Sequence, residues 1–358
     1  MAGNPKLSFG LSSNHCGTFA PSIYVRHYAF YVITSVGSVS NLLVLAVLFY
    51  SRRMRNSLSG VFLLALTIAD TVVLIADQLD LLTRSPIPSE TLALSETGCR
   101  LTSFFKYSAR FTSTVVILCI SFNRLVVVTF PFRSITFNRA TYAKIQVAVS
   151  VIVSTVACMY SLFSVGTSLC GCKAINDRTY NVGVTVVDIV ICDIIASLLI
   201  LAMSTWTVYV LRMYGQRQIQ RQGSVTSGTR TKDERHVTIL LLSVALSFVF
   251  LRLPYTFTWT PTWFMNKSGK STSAALTGTV CITQIFSQLN HAINLYLYCL
   301  CCREFRLQCW NMLHLKPPEV STHSAMQMTS FTRGRVPSAP STTVSSTTTY
   351  QLPQAPTK

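Results

Sequence analysis

Charged side chains interrupt stretches of this chain that are otherwise apolar: Asp70, Asp77, Asp80, Lys106, Arg110, Arg124, Asp188, Asp193 and Arg252. An ionised group at the centre of hydrocarbon costs at least ~2.5–3.5 kcal/mol, so each must face a partner, a cavity or water. Lys106 and Arg110 stand four residues apart, and like charges at that helical spacing repel. Asp77 and Asp80 are the internal candidates to compensate them, with Asp188 and Asp193 further along. Two readings stay open: ion pairs that brace a bundle, or a charged cleft for a ligand with acidic and basic groups, such as a short peptide. Tyr107, Tyr255, Trp259, Gln284, Gln288 and His291 would give that cleft aromatic and hydrogen-bonding walls. Arg252 cannot shed its proton, so it needs a carboxylate or an anion; Asp70, Asp193 and an acidic ligand group all qualify. No Ser/His/Asp set and no metal-ligand set converges, which argues against a hydrolase and assigns no metal.

Helices must position these groups. Seven apolar stretches run at 27–50, 58–82, 98–128, 142–166, 183–212, 236–260 and 276–300. Each is about long enough to cross ~30 Å of hydrocarbon, which takes roughly 20 residues, and only helices or closed barrels satisfy their backbone there. The expected fold is all-α: a seven-transmembrane helix bundle over 27–301, then a short amphipathic eighth helix over 302–314. In that last piece Phe305, Trp310 and Leu313 oppose Arg303, Arg306 and Gln308, which suits a helix lying in the interface. Composition agrees, with 50% hydrophobic and only 12% charged residues, against about 25% charged in soluble domains.

The net charge of +18 would suit nucleic acid, but its distribution does not. Of the 30 Lys and Arg, 19 fall in the tail or in the segments after the first, third and fifth spans, counting Arg124, Lys144 and Arg212 at the adjoining span ends. By the positive-inside rule those segments are cytoplasmic and residues 1–26 extracellular; the charge then reports topology and anionic membrane lipid, with no nucleic acid implied. Residues 1–26 lack the apolar core of a cleavable signal, so the first span is expected to serve as an uncleaved anchor in the plasma membrane. Residues 213–234 read as a mobile loop, and 315–358, rich in Ser, Thr and Pro, as a disordered cytoplasmic tail.

Twelve cysteines show no repeated metal-ligand spacing. Cys16, Cys99, Cys170 and Cys172 fall on the outer side, where disulfides persist, and four cysteines allow three pairings. Cys119, Cys158 and Cys192 read as core residues, and Cys309, with Cys301 and Cys302, as candidates for palmitoylation. Asn266-Lys267-Ser268 is a glycosylation sequon with Asn266 as acceptor. The cluster from Ser341 to Thr349 could accept phosphates.

From Cys99 to Arg124 is 25 residues, about 37 Å of helix at 1.5 Å each, so the third span fixes a cysteine at one mouth and an arginine at the other. Elsewhere stand Gly37-x-x-x-Asn41-Leu-Leu-Val, Leu66-x-x-Ala69-Asp70, Phe248-x-x-x-x-x-Pro254 and Asn294-Leu-Tyr-Leu-Tyr298. In this order and spacing the set resembles the rhodopsin-like (class A) G-protein-coupled receptors over about residues 27–313. The resemblance implies a disulfide from Cys99 to Cys172 or Cys170. It implies a polar core of Asp70, Ser113, Asn41 and Asn290, with a sodium ion beside Asp70 and no other cofactor. It also implies activation residues Arg124, Asn123, Glu234, Asn294, Tyr298 and Pro254, and Phe305 as anchor of the eighth helix.

An extracellular ligand, a heterotrimeric G protein, arrestin and a receptor kinase are the partners it implies. Lys106 stands where amine receptors of the class carry an aspartate, and the seventh span has no lysine for a Schiff base. The resemblance therefore points to the neuropeptide-receptor type, with Asp77, Asp80, Lys106, Tyr107, Arg110, Asp188, Arg252, Tyr255, Gln284 and Gln288 as ligand-binding residues.

The chain also departs from that pattern. The Asp-Arg-Tyr motif reads Asn123-Arg124-Leu125, Leu295 replaces a proline, and the fourth and fifth spans lack the usual tryptophan and prolines. Arg252 replaces a tryptophan and is expected to substitute partly for sodium opposite Asp70. Glu234 is expected to clamp Arg124 in a resting ion pair. The altered motifs leave open a receptor-shaped scavenger that binds without signalling. A transporter or channel is the third class, although the inverted repeats of many transporters are missing.

Overall fold

A computed structural model describes residues 21–83, 92, 94–130, 139–168, 171–220, 228–269 and 271–314. Six helices in it are long and apolar enough to cross a membrane, and a seventh, Ala274–Leu289, is shorter. Side-chain placement is inverted relative to a water-soluble core. Leu300, Phe257 and Phe250 are more than two-thirds exposed, whereas Asn41, Thr67, Asp70, Ser113 and Arg252 are buried. Hydrocarbon around the bundle accounts for both faces, since a helix satisfies its own backbone and turns its polar side chains inward.

The first span, Pro21–Tyr50, begins six residues earlier than position 27, with Pro21 at a position where a missing N–H is harmless. A short helix, Arg52–Arg55, follows, capped by the Ser51 side chain accepting from Met54 N. The second span is Leu58–Thr83 and the third Glu96–Thr129, whose N-cap is the Ser95 hydroxyl. The fourth runs as Arg139–Ala157 and Tyr160–Ser164, with a turn between.

The fifth span opens as Asp177–Gly183, passes through a π-helical segment, Val184–Ile195, and continues as Ala196–Gln220. The sixth is Gly228–Lys267 with Pro254 and Pro261 inside it. Residues 213–220 and 228–234, expected as loop, are therefore helical. Ordinary helix formers such as Met213, Gln216 and Arg217 extend the ladder; residues 221–227 of the expected loop lie outside the described residues.

The seventh span is Ala274–Leu289, a break, and Asn294–Cys301. The break forms although Leu295 supplies a backbone N–H where the class has proline. The eighth helix, Arg303–Met312, buries Phe305, whose ring meets that of Tyr298 edge-on at 5.6 Å.

Buried hydroxyls are made tolerable locally. Thr67, Ser121, Ser154 and Thr207 each donate to the carbonyl four residues back, which answers the cost of an unpaired polar group in apolar surroundings. The apolar core lies toward the Arg124 end, where Val44, Leu48, Leu66, Val116, Ile120, Leu240 and Phe248 pack with Tyr298. Gly37 lets the first span approach the seventh: a β-carbon there would stand 2.7 Å from that of Ala292.

Sequence periodicity did not reveal one element, an antiparallel hairpin of β1 (Val165–Ser168) and β2 (Gly171–Ala174). Cys172 on β2 bonds to Cys99, tying the hairpin to the head of the third span. Gly171 adopts φ +92 with its α-carbon against the Thr83 carbonyl, so a side chain there meets both strain and backbone. Cys170, Cys16 and the tail over 315–358 lie outside the described residues.

Candidate functional site

Lys106 lies two turns below Cys99, where the second and third spans face each other. Its ammonium stands 3.0 Å from Asp77 Oδ1 and 2.8 Å from Asp80 Oδ2. One turn further, an Arg110 nitrogen donates to both oxygens of Asp77, at 2.9 and 3.2 Å. Two carboxylates thus compensate two cations that would otherwise repel on adjacent turns. The expected partners come together, and Asp77 serves both cations.

The other charges depend on the π-helical segment. In an α-helix, residues five apart point ~140° away from each other. A π-helix closes its bonds from i to i+5 and brings such residues back to nearly one face. Asp188 and Asp193 have that separation, and both are buried. Asp193 accepts from Arg252 Nε at 2.7 Å and from the Thr256 hydroxyl at 2.9 Å. A second Arg252 nitrogen reaches the Ser287 hydroxyl at 3.0 Å, so Arg252 links the fifth, sixth and seventh spans. Of the partners the sequence offered, Arg252 therefore takes Asp193, which corrects the expectation that it substitutes for sodium opposite Asp70.

Asp188 differs from the other acidic groups of this layer. It accepts from the Tyr160 hydroxyl at 3.1 Å, and no described cation reaches ion-pair distance of it. The Tyr160 ring neighbours that of Tyr107 at 6.0 Å, and the Tyr107 and Tyr180 hydroxyls share a hydrogen bond of 2.9 Å. From Tyr180 the aromatic chain runs to Trp263, Trp259 and Tyr255. Gln284 accepts from Arg26 at 2.9 Å. Gln288 is buried, and its amide nitrogen has no hydrogen-bond partner among the described residues.

Deeper in the bundle Asp70 is a hub. Its Oδ1 accepts from Ser113 at 2.8 Å and faces His291 Nδ1 at 2.6 Å, and its Oδ2 accepts from Asn294 at 2.6 Å. Asn41 donates to the His291 carbonyl at 3.1 Å, and Asn290 is buried at the break beside them. Sequence reasoning placed His291 in the ligand cleft; the unwound turn over 290–293 rotates it onto Asp70 instead.

At the opposite end Arg124 donates to the Ser59 hydroxyl. Asn123 does not stand in for an aspartate beside it: its amide donates to the Cys119 carbonyl at 2.7 Å and to Gln146 Oε1 at 2.8 Å. A small cavity beside Arg124 is lined by Ser121, Ser204, Thr207, Leu241, Leu242 and Ala245. The side chains of Glu234 and Asn266 lie outside the described residues, so the expected clamp and glycan site are not placed. Ser59, Gln146, Tyr160, Thr256 and Ser287 went unnoticed in the sequence, where single hydroxyls and amides carry no pattern of their own.

Residues 40–298 match the family described as 7 transmembrane receptor (rhodopsin family). The match covers well over half of the chain, and the chain belongs to that family: it is a multi-pass membrane receptor and not an enzyme. No curated protein matches it.

Proposed function

We propose that this receptor lies in the plasma membrane with residues 1–26 outside, binds a small extracellular peptide with a basic group, and activates a heterotrimeric G protein. Arrestin and a receptor kinase acting on the Ser341–Thr349 cluster complete the reading.

The observation that carries it is the state of Asp188. Asp77, Asp80 and Asp193 each have a cation within ion-pair distance, whereas the hydrogen bond to Asp188 comes from a neutral phenol. Arg110 and Arg252 act on Asp188 only from beyond ion-pair distance, a buried carboxylate so placed is costly, and an incoming ammonium or guanidinium relieves that cost. The aromatic rings leading to it favour a cation on the way. A ligand must also bind the signalling-competent arrangement better than the resting one, or it shifts nothing.

A peptide-library screen in transfected cells, read through a promiscuous G protein, tests this. The active peptides should carry a basic group, and Asp188→Asn should weaken their potency roughly 30-fold, about 2 kcal/mol, at normal surface expression. Active peptides that lack any basic group would contradict the assignment of Asp188. Peptide binding without nucleotide exchange would favour the scavenger reading, for which the engagement of Asn123 with Gln146 is the supporting observation.

A further inference from the structure

Class resemblance brings the expectation of a sodium ion beside Asp70, and the atoms around that carboxylate do not suit one. Hard cations bind through several oxygen lone pairs at once. Here the two carboxylate oxygens already meet three side chains, two of which present nitrogen rather than oxygen. Asn294 turns its NH2 to Oδ2, and His291 sets Nδ1 at 2.6 Å from Oδ1. Opposite an ionised Asp70, a nitrogen at that distance must be the donor, so the ring presents Nδ1–H whether it is neutral or charged. A donor hydrogen faces the carboxylate where a cation would sit, and it cannot act as a ligand.

The ring is held in place. His291 is 2% exposed and Asp70 1%. The His291 carbonyl accepts from Asn41 on the first span, and the chain break over 290–293 aims the imidazole inward. His291 Nε2 is buried without a hydrogen-bond partner among the described residues, so the contact with Asp70 is what the imidazole gains by pointing there.

We propose that the His291 imidazole fills the place of a cation beside Asp70, so that a side chain of the protein itself closes the polar core and the receptor does not respond to sodium. This inference is independent of the ligand. It concerns the resting bundle alone.

Thermal unfolding of the purified full-length receptor, compared in sodium chloride and in choline chloride of equal concentration, tests it. The wild type should show no sodium-dependent shift of Tm. His291→Ser, which replaces the ring with a hydroxyl oxygen, should show a rise of several degrees in sodium, because a ligand of the folded state alone raises Tm. A sodium-dependent rise in the wild type that Asp70→Asn abolishes would overturn the proposal. So would an H291S protein that ignores sodium, since His291 would then not be what closes the site. If H291S does not fold, H291N takes its place in the same comparison.

Discussion

Arg252 Nε and Asp193 Oδ1 meet 2.7 Å apart, with each side chain 5% exposed, across the packing of the sixth span on the fifth. Thr256 and Ser287 complete the shell, so neither charge relies on solvent. The layer above holds Lys106, Arg110, Asp77 and Asp80, and the layer below holds Asp70. Three tiers of charge and polar contact therefore run down the interior of one lipid-facing bundle, each joining different spans.

Removing one member of the Arg252–Asp193 pair strands the other as a buried charge. Asp193→Leu or Arg252→Met alone should cost about 3–5 kcal/mol, and the two combined should recover much of it. Unfolding midpoints of the detergent-solubilised proteins check this as a double-mutant cycle. Additive losses would mean that the two residues do not act as a pair.

Asp77 serves two cations and Asp80 lies nearer the rim, so the two aspartates are not equivalent. Asp77→Asn should destabilise by roughly 3 kcal/mol and Asp80→Asn by clearly less, because the second substitution leaves Lys106 with Asp77. Surface expression and thermal unfolding rank them. Equal effects would contradict the bridging role of Asp77.

The Cys99–Cys172 bond closes a long loop and holds the hairpin over the second span. Cys99→Ser and Cys172→Ser should each lose about 2–5 kcal/mol, while Cys170→Ser should express normally. Peptide mapping under non-reducing conditions should recover Cys99 linked to Cys172; a fragment linking Cys99 to Cys170 would refute the pairing.

Under the proposed function, basal signalling depends on what restrains Arg124. Asn123 is engaged by the fourth span through Gln146, Arg124 donates to Ser59, and Glu234 is the proposed clamp. Glu234→Ala should raise ligand-free nucleotide exchange, and Asn123→Asp should lower it by adding a carboxylate next to Arg124. Exchange assays on membranes decide, and an unchanged basal rate in E234A would remove the clamp.

Much of this architecture was legible in the sequence because membrane insertion imposes simple rules. Apolar runs of sufficient length located every span, and the buried acid Asp70 had to find Ser113 and Asn294. Helical spacing and charge made Asp77 and Asp80 candidates to compensate Lys106 and Arg110, and left ion pairs and a ligand cleft both open. What escaped detection depends on backbone departures that side-chain type does not encode. Asp188 and Asp193 were legible as interior candidates, but the π-helical winding of Val184–Ile195 that brings both to one face was not. His291 reaches Asp70 only because the seventh span unwinds at 290–293 without a proline. The hairpin between the fourth and fifth spans rests on Gly171 and one disulfide, and has too few residues to show a period.

In the proposed function, ligand capture beside Asp188 changes the Arg124 end of the same bundle. Nucleotide exchange by a purified heterotrimeric G protein, with the receptor in lipid nanodiscs and a basic peptide active in the cell screen, measures it directly. The expected result is faster exchange with peptide, lost in Asp188→Asn at the same peptide concentration and lost in Arg124→Ala without loss of peptide binding. Peptide binding that leaves exchange at its basal rate in the wild type would contradict the account.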